Sequence, residues 1–187
     1  DATLAESVIN GDDAINDRYL ALEAECVDLL ALQQPVASDL LFVASTFKIL
    51  TDLERIGDLA SNLGGYALTD PRENGLSVDV ANIGRDSRDM VEDALIAYET
   101  EDADLCYDVA ERDDEIDTLC QHANEQLVRD LIEREHDVDD SWTVERLLDD
   151  VSRVLLTIRD VERVGDHAVN IAARTLYMIE QDADLIY

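Results

Sequence analysis

Apolar residues return at three- and four-residue steps along almost the whole chain, a spacing that puts them on one side of an α-helix. Strand-like alternation is scarce, and proline occurs only at Pro35 and Pro71. The pattern predicts five helices and an all-α fold. The first covers about Ala2 to Leu32, with the stripe Leu4, Val8, Ile15, Tyr19, Leu22, Cys26 and Leu29 and a weak point at Asn10-Gly11. Pro35, tolerated only in a first turn, restarts the chain as a second helix from about Val36 to Leu68. Thr69 to Ser77, with its Asp-Pro and Asn-Gly pairs, reads as a break between two units. A third helix is expected over about Leu76 to Thr100, a fourth over Asp104 to Glu135 and a fifth over Thr143 to Gln181. A polar connector, His136 to Trp142, precedes the last.

The halves repeat. Asp52 to Asn62 returns as Asp160 to Asn170 with seven of eleven positions identical, and the acids Asp52, Glu54 and Asp58 recur as Asp160, Glu162 and Asp166. The fourth helix echoes the first at an offset of 101, where Val8, Asp12, Ile15, Asn16 and Val27 become Val109, Asp113, Ile116, Asp117 and Val128. Two units follow, residues 1–70 with two helices and 76–187 with three. The third helix has no counterpart in the first unit. A three-helix first unit therefore needs one more helix, which a chain that starts late would lack.

In the second copy the apolar seam Leu148, Val151, Leu155, Ile158 leads on to Glu162 and Gly165; in the first, Leu40, Val43, Phe47 and Leu50 lead to Glu54 and Gly57. Carboxylates thus stand where core residues are due. Glu54 with Asp58, and Glu162 with Asp166, are four apart and share a helix face. Asp113 with Asp117, and Asp12 with Asn16, offer complementary pairs on the preceding helices. Like charges this close, facing other helices, are costly unless a cation compensates them. Convergent oxygen ligands across two helices are how bundles build metal sites, and such ligands suit iron, manganese, magnesium or calcium. A glycine inside a helix costs about 1 kcal/mol, so Gly57 and Gly165 suggest a close approach. The alternative is that Arg55 and Arg163 neutralise the acids as ordinary ion pairs.

Charge narrows the function classes. With 45 acids against 14 bases the formal net charge is -31, and Lys48 is the sole lysine. Direct binding of nucleic acid, which needs clustered positive charge, is not expected. Repulsion on this scale is screened only at high ionic strength, so the composition points to the cytoplasm of a salt-accumulating halophile. An apolar content of 47% argues against disorder. Cys26, Cys106 and Cys120 are widely spaced and suit buried, reduced thiols. No signal peptide and no apolar run near the length of a membrane span is visible, so a soluble cytoplasmic protein without membrane insertion is expected.

Other features carry less. His167 is expected in core packing or behind a ligand, His122 in packing, Trp142 as a connector anchor and Tyr187 as a chain-end contact. The single Glu133-Arg-Glu-His136 resembles half of a di-iron carboxylate site, which makes a redox protein the weaker alternative. No phosphate loop or nucleophile elbow supports an enzyme.

The chain resembles the PhoU family of phosphate-signalling regulators. The resemblance rests on Asp52-Leu-Glu-Arg-Ile-Gly-Asp58, Asp160-Val-Glu-Arg-Val-Gly-Asp-His-Ala-Val-Asn-Ile171, Gln34-Pro-Val-Ala-Ser-Asp-Leu40 and Asp113-Asp-Glu-Ile-Asp117. It implies tandem three-helix bundles, the first lacking its first helix here, and Glu/Asp-x-x-x-Asp motifs that bind multinuclear metal clusters. On matching positions the ligands are Glu54, Asp58, Asp12 and, in place of an expected acid, Asn16, then Glu162, Asp166, Asp113 and Asp117. Leu59 stands where the second copy has His167. The implied cofactor is a divalent or trivalent metal, an iron cluster first, with zinc, manganese, magnesium and calcium open. The implied role is non-enzymatic, through contact with a phosphate transporter or sensor kinase at the cytoplasmic membrane face, as a homo-oligomer, a dimer first. A metal-free helical interaction module and an accessory domain of another ion transporter are the alternatives. The resemblance also leaves room for a longer regulator with an amino-terminal DNA-binding module.

Overall fold

The computed structural model describes residues 1–69, 78–134 and 141–186, apart from the side chains of 134 and 141–144. The expected break and polar connector lie almost entirely outside these residues, as do His136, Tyr187 and the Trp142 side chain. All described secondary structure is helical: α1 (Ala2–Gln33), α2 (Ala37–Thr69), α3 (Val80–Thr100), α4 (Ala103–Arg134) and α5 (Ser141–Glu180).

Local chemistry sets the ends. Asp1 caps α1 by accepting from the Thr3 amide, and Gln34 closes it in a left-handed conformation at φ 46°. Asp79 caps α3 by accepting from the Asn82 amide, which places the start of that helix at Val80 rather than near Leu76. Glu101 ends α3 with φ 54°, and Asp102 accepts from the Leu105 amide to open α4. The weak point expected at Asn10-Gly11 is no break, since α1 runs through it as one helix.

A Cβ on Gly57 would meet Ile15, and one on Gly64 would meet Ile9 and Ala5, so α1 and α2 are antiparallel. In the second repeat α3 and α5 run parallel, with Gly84 near Val161 and Met90 near Gly165, while α4 runs against both. α2 also packs along α5 and joins the repeats; among the described residues α1 packs on α2 alone.

The core lies where three helices surround α5. Met90, Ala94 and Ala97 of α3, Cys106, Val109, Ile116 and Cys120 of α4, and Ile158, Ala168, Ile171, Ala172 and Leu176 of α5 are all buried. The seam expected on α5 is only half right: Val151 and Ile158 are buried, but Leu148 is 57% exposed and Leu155 42%. On α2 Val43 is buried and Leu40 exposed. On α1 the expected stripe is only partly covered: Cys26 is buried, Tyr19 and Leu22 are half-buried and Ile15 packs over Gly57, but Leu4, Val8 and Leu29 are exposed, α2 being the one helix packed on it among the described residues. His122 is exposed rather than packed. The three cysteines are free and buried.

Candidate functional site

The antiparallel course of α4 and α5 brings Asp113 and Asp117 alongside Glu162 and Asp166, close enough for their charges to act on one another. Burial, then Asp117, Asp166, Asp114 and Glu162, push the Asp113 carboxyl up to about 7. Glu162 is raised by burial and by Asp117 and Asp166. Asp166 is raised by burial and Asp117, with His167 and Arg163 pulling the other way. Asp113 Oδ1 is buried without a hydrogen-bond partner. It stands 3.0 Å from where a Cβ on Gly165 would lie, so the glycine leaves room for a carboxylate rather than for another backbone. Asp117 and Asp166 reach solvent, and a groove lined by Asp117, Gln121, Asn124, Arg129 and Glu162 opens beside them.

The first repeat differs. Glu54 is raised by burial and Asp58, eased by Arg55, and raised again by Asp12, which brings these acids together across α1 and α2. Asp12 is already engaged, however: Asn16 Nδ2 donates to its Oδ2 at 3.2 Å. Ile15, not a carboxylate, fills the space over Gly57. Arg55 and Arg163 are exposed, and among the described residues neither forms an ion pair within 4.0 Å.

An oxygen-only donor set with an orphaned buried oxygen fits a hard cation at the second cluster, which Asp113, Asp117, Glu162 and Asp166 would hold. Such an ion would supply the charge that lets four acids stay ionised together. Among the described residues no three acidic, cysteine or histidine side chains already converge tightly enough to hold an ion, so these side chains would have to turn inward.

The first acid of each motif copy does something that the spacing did not reveal. Asp52 Oδ1 lies 2.8 Å from His167 Nδ1 and 3.4 Å from Asn170 Nδ2, a clasp from α2 to α5. Its counterpart Asp160 is fully buried, accepts from the Tyr66 hydroxyl at 2.9 Å and pairs with Arg159. His167 is thus a bridge between the repeats. The one visible hint is the change from Leu59 to His167 in an otherwise matching copy.

The family model for the PhoU domain matches residues 1–67 and 80–175, which include all eight candidate ligands. The chain belongs to the PhoU family. It is 38% identical over 183 residues to the phosphate-specific transport system accessory protein PhoU homolog of Pseudomonas putida, covering 96% of this chain and 67% of that protein. The same identity and chain coverage hold for the Pseudomonas aeruginosa homolog, of which 71% is covered. The fold matches the crystal structure of PhoU from Pseudomonas aeruginosa with a TM-score of 0.87 and 36% identity, over 97% of this chain and 84% of that one. It also matches the phosphate transport system regulatory protein PhoU from Streptococcus pneumoniae, with a TM-score of 0.82 and 30% identity over 98% and 82%. These PhoU relatives carry the names of accessory and regulatory proteins. Among the described residues no helix is long and apolar enough to cross a membrane.

Proposed function

We propose that this chain regulates phosphate transport and its signalling by contact with transporter or sensor-kinase proteins at the cytoplasmic membrane face, and that bound metal sets its helices in register. The relatives' names support the phosphate role. The observation that carries the metal reading is the unpartnered, buried Asp113 Oδ1 amid Asp117, Glu162 and Asp166. A cation there relieves mutual repulsion and ties α4 to α5, so occupancy controls the shape of the surface that a partner meets. Iron is the first choice, and zinc, manganese, magnesium or calcium suit the same oxygen ligands. The charge of -31 supports work in concentrated salt. Nothing in this reading requires nucleic acid or insertion into the bilayer, and a homodimer is the assembly proposed.

Metal analysis of protein purified in high salt, set beside Glu162→Gln and Asp166→Asn, tests the metal reading; unchanged content in both variants removes those residues from the site. Co-purification with the cytoplasmic parts of a phosphate transporter and a sensor kinase tests the partner reading. The absence of a ready-made triad among the described residues favours one rival, a metal-free helical module. That rival requires the same thermal midpoint with and without chelator.

A further inference from the structure

We infer that the two carboxylate clusters are not equivalent: the second repeat holds the metal, and the first, in which the amide Asn16 replaces an acid and bonds Asp12 along α1, holds none. The inference rests on the metal reading above and goes beyond the repeat, which treats both copies alike.

The repeat itself supplies the comparison, position by position. Asp113 and Asp117 of α4 are both acids and cannot satisfy each other when ionised, whereas Asn16 occupies the place of Asp117 and donates to Asp12 at 3.2 Å. Asp12 therefore has a hydrogen-bond donor in the first repeat, whereas its counterpart Asp113 has an Oδ1 that stays buried and unpartnered. Space tells the same story. A Cβ on Gly165 would find that carboxylate oxygen nearest, at 3.0 Å, with Ile116 behind it at 3.7 Å. A Cβ on Gly57 would find Ile15 Cδ1 at 3.1 Å and Cγ2 at 3.2 Å, so apolar carbon occupies the place of the oxygen. One helical turn further on, Tyr19 stands where α4 has Cys120, and its hydroxyl donates to Glu23 at 2.9 Å. The surroundings diverge too: the groove beside the second cluster offers Gln121, Asn124 and Arg129, and the matching positions of α1 are Leu20, Glu23 and Asp28.

The test uses the whole chain, stripped with chelator in high salt and titrated with Mn2+, free ion being counted by its electron paramagnetic resonance signal. Two paired variants are compared, Glu54→Gln with Asp58→Asn, and Glu162→Gln with Asp166→Asn, each checked for native helix content by circular dichroism. The expected result is loss of Mn2+ binding in the second variant only, with the first matching the unaltered chain in both amount and affinity. Equal losses in the two variants overturn the inference while leaving the metal reading intact. No binding by the unaltered chain overturns both. Should the second pair fail to fold, Asp113→Asn alone serves, with the same loss expected.

Discussion

Asp113 shows how one side chain can link stability, pH and ligand. Its carboxyl titrates near 7 in the fold and near 4 in an unfolded chain, so the fold favours the protonated form. The metal-free protein should therefore be most stable below about pH 4 as far as this group is concerned, lose stability as pH rises to about 7, and change little above that. Glu54, Glu162 and Asp166 are raised as well and act in the same direction. Urea unfolding in chelator at pH 5.5 and pH 8 checks this: lower stability at pH 8 is expected, with a smaller difference in Asp113→Asn. That variant should also melt a few degrees higher at pH 8 without metal, at about 2–4 °C per kcal/mol for a chain of this size. Cys106 and Cys120 give a separate readout. Burial lifts their thiols to about 11 and about 12, so in native protein both should resist a disulfide reagent at pH 8 and react once the chain is unfolded.

Among the helices, glycine separates packing from propensity. Gly11 has nothing within 4 Å of an added Cβ, so Gly11→Ala is expected to stabilise α1 by about 1 kcal/mol. A Cβ on Gly64 would stand 3.2 Å from the Ala5 carbonyl oxygen, a backbone atom that cannot give way cheaply, so Gly64→Ala should destabilise. Opposite shifts of the two thermal midpoints are the check. The clasp between α2 and α5 gives a further prediction. His167→Leu, which installs the residue of the first copy, should cost about 1–2 kcal/mol by leaving Asp52 short of a partner. A double-mutant cycle of Asp52→Ala and His167→Ala should be non-additive.

The helices and their order were legible because periodicity and Pro35 are local signals, and the facing acid pairs were legible because the repeat keeps them in phase. The seam over Leu148 and Leu155 was not. A strict seven-residue repeat drifts by about 20° per heptad on a straight helix, and the buried arc of α5 follows three neighbours through Val161, Gly165, Ala168 and Ile171. The clasps Asp52–His167 and Tyr66–Asp160 were illegible for another reason. They depend on how one repeat sits against the other, which no period within a helix encodes.

For the whole molecule, a formal charge of -31 sets the operating conditions. The Debye length falls from about 10 Å at 0.1 M to about 3 Å at 1 M salt, so mutual repulsion among acids on one fold fades over that range. The thermal midpoint is expected to rise steadily from 0.1 to 2 M KCl, and a flat profile would remove the halophile reading. Adding chelator at 2 M KCl, where surface repulsion is already screened, should still lower the midpoint if a cation ties α4 to α5.

The side of the first helix pair that no described residue covers, where Leu4, Val8, Leu20 and Leu29 are exposed, bears on how experiments with this chain are interpreted. Dyes such as ANS brighten on loose apolar surface and commonly diagnose molten globules. Here the native molecule would brighten them itself. A fluorescent signal in a folding assay would then report ordinary architecture, and only near-ultraviolet dichroism or resolved side-chain resonances would distinguish it from collapse.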